Sequence, residues 1–279
     1  FRGGRSVSSV GVVNNPLTYY MGTAGGGLWK TTNAGSEWFN ISDDYFKTSS
    51  VGAIAVSESD SRIIYVGMGE HSPRGVTTSY GDGIYKSTDA GQTWDHLGLD
   101  NTQQISRIII HPDDNNIVYV AAQGAINGPT KERGVYKSID GGKTWRNVLF
   151  VNELSGASEL SIDINNPKVL YATMWEHQRL PWKVISGGEG SGVYKSTDGG
   201  ENWFKIENGL PNELGKLAIS VSRANSNKVY LLAESDTNKR LGGLFVSNNA
   251  GESWSRVSKF AELTSRAWYY ICLLYTSPS

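Results

Sequence analysis

The sequence contains little that would place it among membrane, disulfide-stabilised or nucleic-acid-binding proteins. It has one cysteine in 279 residues and no apolar run of the roughly eighteen residues that a membrane-spanning helix needs. Its 26 basic residues nearly balance 27 acidic ones, and no basic stripe interrupts that balance. A disulfide framework is therefore excluded, and we predict no transmembrane segment and no nucleic-acid partner.

A sustained helical pattern is also missing. No window repeats apolar residues with a 3.6-residue period. The apolar runs are short, rich in β-branched and aromatic residues, and bounded by Asn, Asp, Pro and Gly, which is typical of strands and turns. The 33 glycines, 9 tryptophans and 14 tyrosines suit tight turns and aromatic anchors. We predict an all-β chain.

One eight-residue motif recurs five times. The clear copies are residues 87–94 (STDAGQTW), 138–145 (SIDGGKTW) and 196–203 (STDGGENW), and the outer copies are residues 31–38 (TTNAGSEW) and 247–254 (SNNAGESW). The closing residues are Trp38, Trp94, Trp145, Trp203 and Trp254, spaced 56, 51, 58 and 51 residues apart. A period near fifty residues indicates propeller blades or a solenoid.

The motif has the chemistry of a locked turn. The third position (Asn33, Asp89, Asp140, Asp198 and Asn249) is predicted to accept hydrogen bonds from backbone N–H groups one or two residues later. Glycine in the fifth position allows a positive φ, and the Trp packs on the apolar layer beneath the turn. Because such turns belong to separate blades, we interpret these residues as structural and not as a catalytic or metal set.

Each repeat contains four short predicted strands, which favours a β-propeller over a β-solenoid. The predicted blades lie near residues 1–42, 43–98, 99–150, 151–207 and 208–258, and residues 259–271 are predicted to start a sixth. Five blades would leave open sheet edges, so we expect residues 1–271 to be an incomplete propeller. Residues 272–279 fit no strand of the repeat, and we expect a non-native tail there.

We expect a ligand at the ends of the blades opposite the repeated turn. Antiparallel strands reverse direction, so the connections between second and third strands emerge at that end. Here these connections are long and varied, as functional loops often are. They and the segment before the first strand carry the ligand-binding candidates, which are Arg2, Arg5, Glu70, His71, Arg74, Trp175, Glu176, His177, Arg179 and Trp182.

Several roles stay open for these residues. Glu70 and Glu176 are the candidate catalytic acids or bases, and each precedes a histidine, but the same pairs suit a charged rim that orders the loops. Trp175 and Trp182 suit stacking on a sugar or packing on a neighbouring loop. Arg2 and Arg5 suit a carboxylate ligand or a salt bridge to Glu70. We predict no metal and no cofactor.

The repeated turn resembles the Asp-box, or BNR repeat, of sialidases, xyloglucan-cleaving glycosidases and sortilin-type sorting receptors. Residues 1–5 (FRGGR), 25–30 (GGGLWK), 81–89 (GDGIYKSTD) and 209–211 (GLP) also resemble the N-terminal propeller of large secreted bacterial proteins described as sortilin-like or BNR-repeat glycosyl hydrolase-like. In xyloglucan-cleaving enzymes the first blade typically carries a catalytic Asp in a Thr-Asp-x-Gly-Gly segment. The matching residues 23–27 (TAGGG) have Ala24 at that place.

The resemblance implies a secreted or envelope-associated propeller. Our main expectation is a binding propeller for a peptide, a protein or a carbohydrate. The alternatives are a glycoside hydrolase that uses Glu70 or Glu176, and a structural repeat module of a larger secreted protein.

Overall fold

The computed structural model describes residues 5–73, 78–235 and 238–272. Among these residues the strands form five antiparallel sheets, four of four strands and one with an additional fifth strand. In each sheet the strands are hydrogen-bonded in chain order, so each sheet is one meander. The all-β propeller fold predicted from the repeat is confirmed, with five blades.

The five blades follow one another along the chain. Blade one contains β1 (Ser6–Val12), β2 (Asn15–Thr23), β3 (Leu28–Thr31) and β4 (Phe39–Asn40), and blade two contains β5 (Val51–Val56), β6 (Ile64–Met68), β7 (Ile84–Ser87) and β8 (Asp95–His96). Blade three contains β9 (Ile105–Ile110), β10 (Val118–Ala122), β11 (Gly134–Ser138) and β12 (Arg146–Leu149). Blade four contains β13 (Ser155–Ile162), β14 (Leu170–Arg179), β15 (Val184–Ser186), β16 (Gly192–Ser196) and β17 (Phe204–Ile206). Blade five contains β18 (Leu217–Ser222), β19 (Asn225–Ala233), β20 (Gly243–Ser247) and β21 (Ser255–Ser258).

The chain divides into two compact units. The first contains the described residues up to Val120 together with Lys137–Arg146, and the second contains Ala121–Tyr136 and the described residues from Asn147 onward. Blades one and two lie in the first unit and share an apolar core that includes Leu28, Val51 and Val66. Blades four and five lie in the second unit, and their shared core includes Val193, Leu217 and Leu231.

The repeated turn differs from the prediction in one detail. Asp89 Oδ1 accepts hydrogen bonds from the backbone N–H groups of Gln92 and Thr93, each at 2.9 Å, which lie three and four residues later and not one or two. The reason is that two consecutive residues, Ala90 and Gly91, have positive φ angles of 62° and 86° and turn the chain back over the carboxylate. Ser87 Oγ completes the lock by accepting the Gly91 N–H at 2.8 Å.

A Tyr–Lys pair connects neighbouring blades within each unit. The tyrosine comes from the second strand and the lysine from the third, and both donate to the carbonyl oxygen of the fourth residue in the next blade's turn. The pairs are Tyr20 and Lys30 on Ala90 O (3.1 and 2.8 Å), Tyr65 and Lys86 on Gly141 O (3.0 and 3.0 Å), and Tyr171 and Lys195 on Ala250 O (2.9 and 2.7 Å). Burial raises the pKa of Tyr20 to about 12, which keeps its hydroxyl a donor.

Residues 259–271, which we predicted to start a sixth blade, contain helical turns and no strand. They form a 3-10 turn at Ala261–Thr264 and a short helix α1 at Ala267–Tyr270. Ala267 and Ile271 pack against Ala218 and Leu232 of blade five, so the end of this segment is anchored to that blade. Two further 3-10 turns lie at Asp100–Thr102 and Lys239–Leu241. Within the described part of the chain, no helix has the length and apolarity to cross a membrane.

Candidate functional site

A cleft with a cavity volume of about 640 Å³ opens in the first unit. Its walls come from the turn between β2 and β3, from the segment that links β4 to β5, and from the connection between β6 and β7. The lining residues are Gly25, Gly27, Ser42, Asp43, Phe46, Lys47, Thr48, Ser49 and Tyr80. These connections emerge at the end of the blades away from the Asp-box turns. The volume lies within the range of small-ligand sites.

The glycine-rich turn between β2 and β3 forms one wall of the cleft. Because its glycines have no side chains, the neighbouring segment can approach its backbone closely. Gly25 and Gly27 have positive φ angles of 102° and 73°. A Cβ atom on Gly27 would come within 2.2 Å of Ser42 Oγ, so glycine is needed for this close approach. The Gly27 N–H donates to the Ser49 carbonyl at 2.9 Å and so joins the two walls. Ala24 lies behind this turn, where its N–H donates to the Arg5 carbonyl at 2.9 Å.

Tyr80 gives the cleft an exposed aromatic ring. Its side chain is 49% exposed and lies on the connection between β6 and β7. The remaining lining is mostly polar and supplies hydroxyl groups from Ser42, Thr48 and Ser49. None of the ligand-binding candidates predicted from the sequence lines the cleft among the described residues. The one local signal for the cleft is the glycine run at residues 25–27, which leaves a wall without side chains.

Of the candidates in the first unit, Arg5 and Glu70 form an ion pair. Arg5 Nη2 donates to Glu70 Oε1 at 2.8 Å, and the Glu70 side chain is fully buried. Glu70 Oε2 also accepts the Ser79 N–H at 3.4 Å. His71 follows it and is half-buried. Glu70 therefore has the environment of a structural carboxylate, while Arg2 and Arg74 lie outside the described residues.

In the second unit, the expected loop after the second strand of blade four is a strand. β14 continues to Arg179 and pairs with β15, with His177 opposite Ser186 and Arg179 opposite Val184. The prediction that Glu176, His177 and Arg179 lie on a loop is therefore wrong. The hairpin is closed by a tight turn in which the Leu180 N–H donates to the Lys183 carbonyl at 2.8 Å, with Pro181 and Trp182 at its tip.

The two tryptophans of this hairpin lie in opposite environments. Trp175 is 1% exposed, its ring stacks on His177 with 4.3 Å between centroids, and Lys216 Nζ lies 5.2 Å from the centroid of its ring. Trp182, at the hairpin tip, is 81% exposed. The Arg179 guanidinium lies 6.0 Å from the centroid of the Trp268 ring. Only Trp182 of the two presents a free ring face.

Buried Arg133 organises the polar interior of the second unit, and no feature of the sequence analysis pointed to it. Its guanidinium donates to the carbonyl oxygens of Gln123 (3.1 Å), Leu154 (3.0 Å), Gly128 (3.2 Å) and Ala125. It also contacts the His177 ring at 3.2 Å. Burial lowers the pKa of Arg133, with Glu176 opposing that shift. Burial, followed by the charges of Arg133 and Lys216, holds the pKa of His177 well below its usual value.

Glu176, which lies within β14, and Glu234, which directly follows β19, also have internal partners. Glu176 Oε2 accepts the Gly190 N–H at 3.0 Å. Glu234 Oε2 accepts the Ser186 hydroxyl at 2.6 Å and the Lys216 N–H at 3.1 Å. These carboxylates fix loop backbone, as Glu70 does in the first unit. The described residues contain no cluster of three or more His, Cys, Asp or Glu side chains suited to a metal ion.

The chain is similar to several known proteins. The family profile Sortilin-Vps10, described as Sortilin, neurotensin receptor 3, matches residues 82–206. A xyloglucanase of Paenibacillus sp. is 24% identical over 214 residues, which is 67% of this chain and 19% of that protein. Xyloglucanase Xgh74A of Acetivibrio thermocellus is 24% identical over 268 residues, which is 86% of this chain and 29% of that protein.

Solved structures show the same fold. An ancestral GH74 enzyme superposes with a TM-score of 0.69 at 19% identity, covering 91% of this chain and 33% of that one. The GH74 enzyme of Niastella koreensis superposes with a TM-score of 0.65 at 20% identity, covering 90% of this chain and 38% of that one. This chain spans less than a third of the length of the two xyloglucanases described above.

Proposed function

We propose that this chain, which is a BNR-type β-propeller, supplies part of the glycan-binding surface of a protein that acts on a polysaccharide of the xyloglucan class. The observation that carries the proposal is the alignment with a xyloglucanase over 86% of the chain, together with a cleft in the first unit whose lining suits a sugar. A carbohydrate ligand is favoured over the peptide or protein ligand of our main expectation because the named relatives are carbohydrate-active.

The lining of the cleft matches the chemistry of a sugar chain. A sugar ring has an apolar face that packs on an aromatic ring, and exposed Tyr80 offers one. Its hydroxyl groups need donors and acceptors, which the hydroxyl groups of Thr48 and Ser49 supply. A cavity of about 640 Å³ has room for a short stretch of polysaccharide, with the chain continuing into solvent.

Hydrolysis of the same polysaccharide is the second candidate function, and the names of the relatives favour it. Glycoside hydrolysis uses two placed carboxylates. Among the described residues that line the cleft, Asp43 is the single carboxylate. Glu70 and Glu176 are bound to internal partners, and Ala24 has no carboxylate. A hydrolytic reaction at this cleft therefore requires a second carboxylate from outside its described lining.

The proposal also implies a secreted or envelope-associated protein. A polysaccharide too large to enter a cell has to be met outside the cytoplasm. The structural-module alternative does not require a ligand, so it predicts that the cleft binds no glycan.

Tyr80→Ala tests the proposal in the full-length protein that contains this chain. We expect the Kd for xyloglucan oligosaccharides, measured by isothermal titration, to rise about tenfold, since loss of ring stacking on this scale is about 1.4 kcal/mol. Turnover is followed in parallel by the release of reducing ends. Phe39→Ala is the matched control, because Phe39 is an exposed aromatic of the same unit that does not line the cleft.

Equal effects of the two substitutions, or no binding of xyloglucan oligosaccharides by the unaltered protein, would contradict glycan binding at this cleft. Turnover that survives Tyr80→Ala with a raised KM would favour the hydrolase.

A further inference from the structure

One position, directly before the otherwise constant third strand, differs among blades two to five. The residue before the strand's first glycine is Asp82 in blade two, Arg133 in blade three, Ser191 in blade four and Gly242 in blade five. The next residues repeat closely, as GIYKS, GVYKS, GVYKS and GLFVS. In the first unit, the residue at this position is Asp82, and it lies behind one wall of the cleft.

The Asp82 carboxylate holds Thr48, which lines the cleft. Thr48 Oγ1 donates to Asp82 Oδ1 at 2.7 Å. The second oxygen, Oδ2, accepts the Tyr85 hydroxyl at 2.6 Å. Both distances are in the range expected for a hydroxyl group that donates to a carboxylate oxygen. Asp82 thus links the cleft wall to the third strand of blade two without lining the cleft itself.

Tyr85 holds the two preceding residues of the same wall. Its hydroxyl oxygen accepts the Lys47 N–H at 3.1 Å. Its ring packs on Phe46 with 4.4 Å between ring centroids. Three consecutive lining residues, Phe46, Lys47 and Thr48, are therefore fixed by Asp82 and Tyr85.

The Asp82–Tyr85 pair is itself held from behind. His96 Nε2 lies 2.6 Å from the Asp82 carbonyl oxygen, and the His96 ring lies 4.9 Å from the Tyr85 ring. Gly83 has a φ of 104°, and a Cβ atom there would lie 2.0 Å from the Gly98 carbonyl oxygen. The backbone that carries Asp82 therefore has little freedom to move.

We propose that Asp82 and Tyr85 are positioning residues for the ligand cleft, which fix the wall of residues 46–48 in the conformation that binds the glycan. This inference rests on the proposed function. The wall belongs to a connection between blades, where the Asp82 and Tyr85 contacts add to the Phe46 N–H bond to the Ser42 carbonyl (2.9 Å) and to the contact of the Phe46 ring with Trp94. A preorganised wall saves the entropy of ordering it on binding, so loosening it weakens affinity.

Tyr85→Phe tests the inference because it removes one hydroxyl and keeps the buried ring. In the full-length protein we expect the Lys47 amide to exchange with deuterium about tenfold faster, and the Kd for xyloglucan oligosaccharides to rise three- to tenfold. Asp82→Asn should act in the same direction, since an amide presents one acceptor oxygen where the carboxylate presents two.

Tyr136→Phe is the matched control. Tyr136 occupies the same repeat position in blade three, and its hydroxyl donates to Glu132 Oε2 at 3.2 Å, not to a residue of the cleft. Its substitution should leave both the Lys47 exchange rate and the Kd unchanged, whatever it does to the melting temperature. A general loss of stability would raise exchange in both variants.

The outcomes separate this inference from the function on which it rests. Unchanged Lys47 exchange in Tyr85→Phe would overturn the positioning role by itself. Faster exchange with an unchanged Kd would overturn the claim that the wall's order matters for the ligand. An unaltered protein that binds no glycan would instead overturn the proposed function, while the exchange measurement would still decide whether Tyr85 orders the wall.

Discussion

The two ends of each blade differ in whether their hydrogen-bonding residues are the same from one blade to the next. At the Asp-box end, Asp89, Asp140 and Asp198 each accept the N–H four residues later at 2.9 to 3.0 Å, and each is joined to a serine hydroxyl at 2.8 Å. At the opposite end, the residue before the third strand changes from blade to blade. The repeated hydrogen bonds of the Asp-box turns support the fold. The changing residue at the other end fits each blade to its own loops.

The variable position illustrates this second rule. Asp82 accepts hydroxyl groups and holds a cleft wall. Arg133 donates to loop carbonyls. Ser191 Oγ accepts the Glu176 N–H at 2.9 Å. These residues occupy the same position of the repeat, but each bonds to the groups that its own loop presents. The residue type at this position therefore depends on the loop beside it.

Replacing Arg133, the residue at the variable position of blade three, should have the largest effect on stability. Arg133→Ala removes the guanidinium hydrogen bonds to four loop carbonyl oxygens, those of Gln123, Ala125, Gly128 and Leu154. We expect the free energy of unfolding to fall by about 3 kcal/mol or more, since each unsatisfied buried group costs about 1–3 kcal/mol. Denaturant unfolding measures this, with exposed Arg146→Ala as the control, expected within about 0.5 kcal/mol of the unaltered protein. Equal losses in the two variants would show that Arg133 is not the organising residue.

The pH dependence of stability should show a smaller effect from the same end of the blades, at His177. His177 is buried beside Arg133 and Lys216, so its pKa is depressed and the ring is neutral in the folded protein. In the unfolded chain the ring takes up a proton near pH 6.5. The stability from this site is therefore fully present above about pH 6.5 and declines below it by about 1.4 kcal/mol per pH unit, until the folded pKa is reached.

Urea unfolding between pH 5 and 8 measures this slope. His177→Gln removes the titrating group, so the variant should lose that part of the slope. If both proteins showed the same pH dependence, the depressed pKa of His177 would not contribute to stability.

The sequence was sufficient for the fold because the fold is repeated. The spacing of the motif near fifty residues predicted the repeated four-stranded sheets, and the Gly and Trp of each copy marked the turn before the last strand. Blade four shows the limit. Residues beyond Met174 carry no turn signal until Pro181, yet their polar side chains suggested a loop, and only pairing with β15 explains the strand.

The site was harder to predict because it depends on contacts between repeats. Tyr80 stands in a connection whose length and composition differ from blade to blade, and nothing local shows that Gly25 lies beside it. Trp175 and His177 resemble ligand contacts in sequence, but the loops packed around them bury both. Arg133 and Asp82 leave one signal, which is a changing residue before a constant Gly-x-Tyr-Lys-Ser run.

Altering an Asp-box should have the smallest effect. The pKa of Asp140 is lowered to about 2, chiefly by the hydrogen bond from the Thr144 hydroxyl, so the turn's stabilisation by its charge is present above about pH 4 and is lost as the pH falls toward 2. Asp140→Ala should lower the melting temperature by a few degrees at neutral pH. It should not alter a ligand site at the other end of the blades.

Calorimetric titration of xyloglucan oligosaccharides into Asp140→Ala and Tyr80→Ala, side by side in the full-length protein, tests the central claim most directly. We expect Asp140→Ala to bind within twofold of the unaltered protein although it melts earlier, and Tyr80→Ala to bind about tenfold more weakly with an unchanged melting temperature. A lost affinity in Asp140→Ala with an intact affinity in Tyr80→Ala would contradict it.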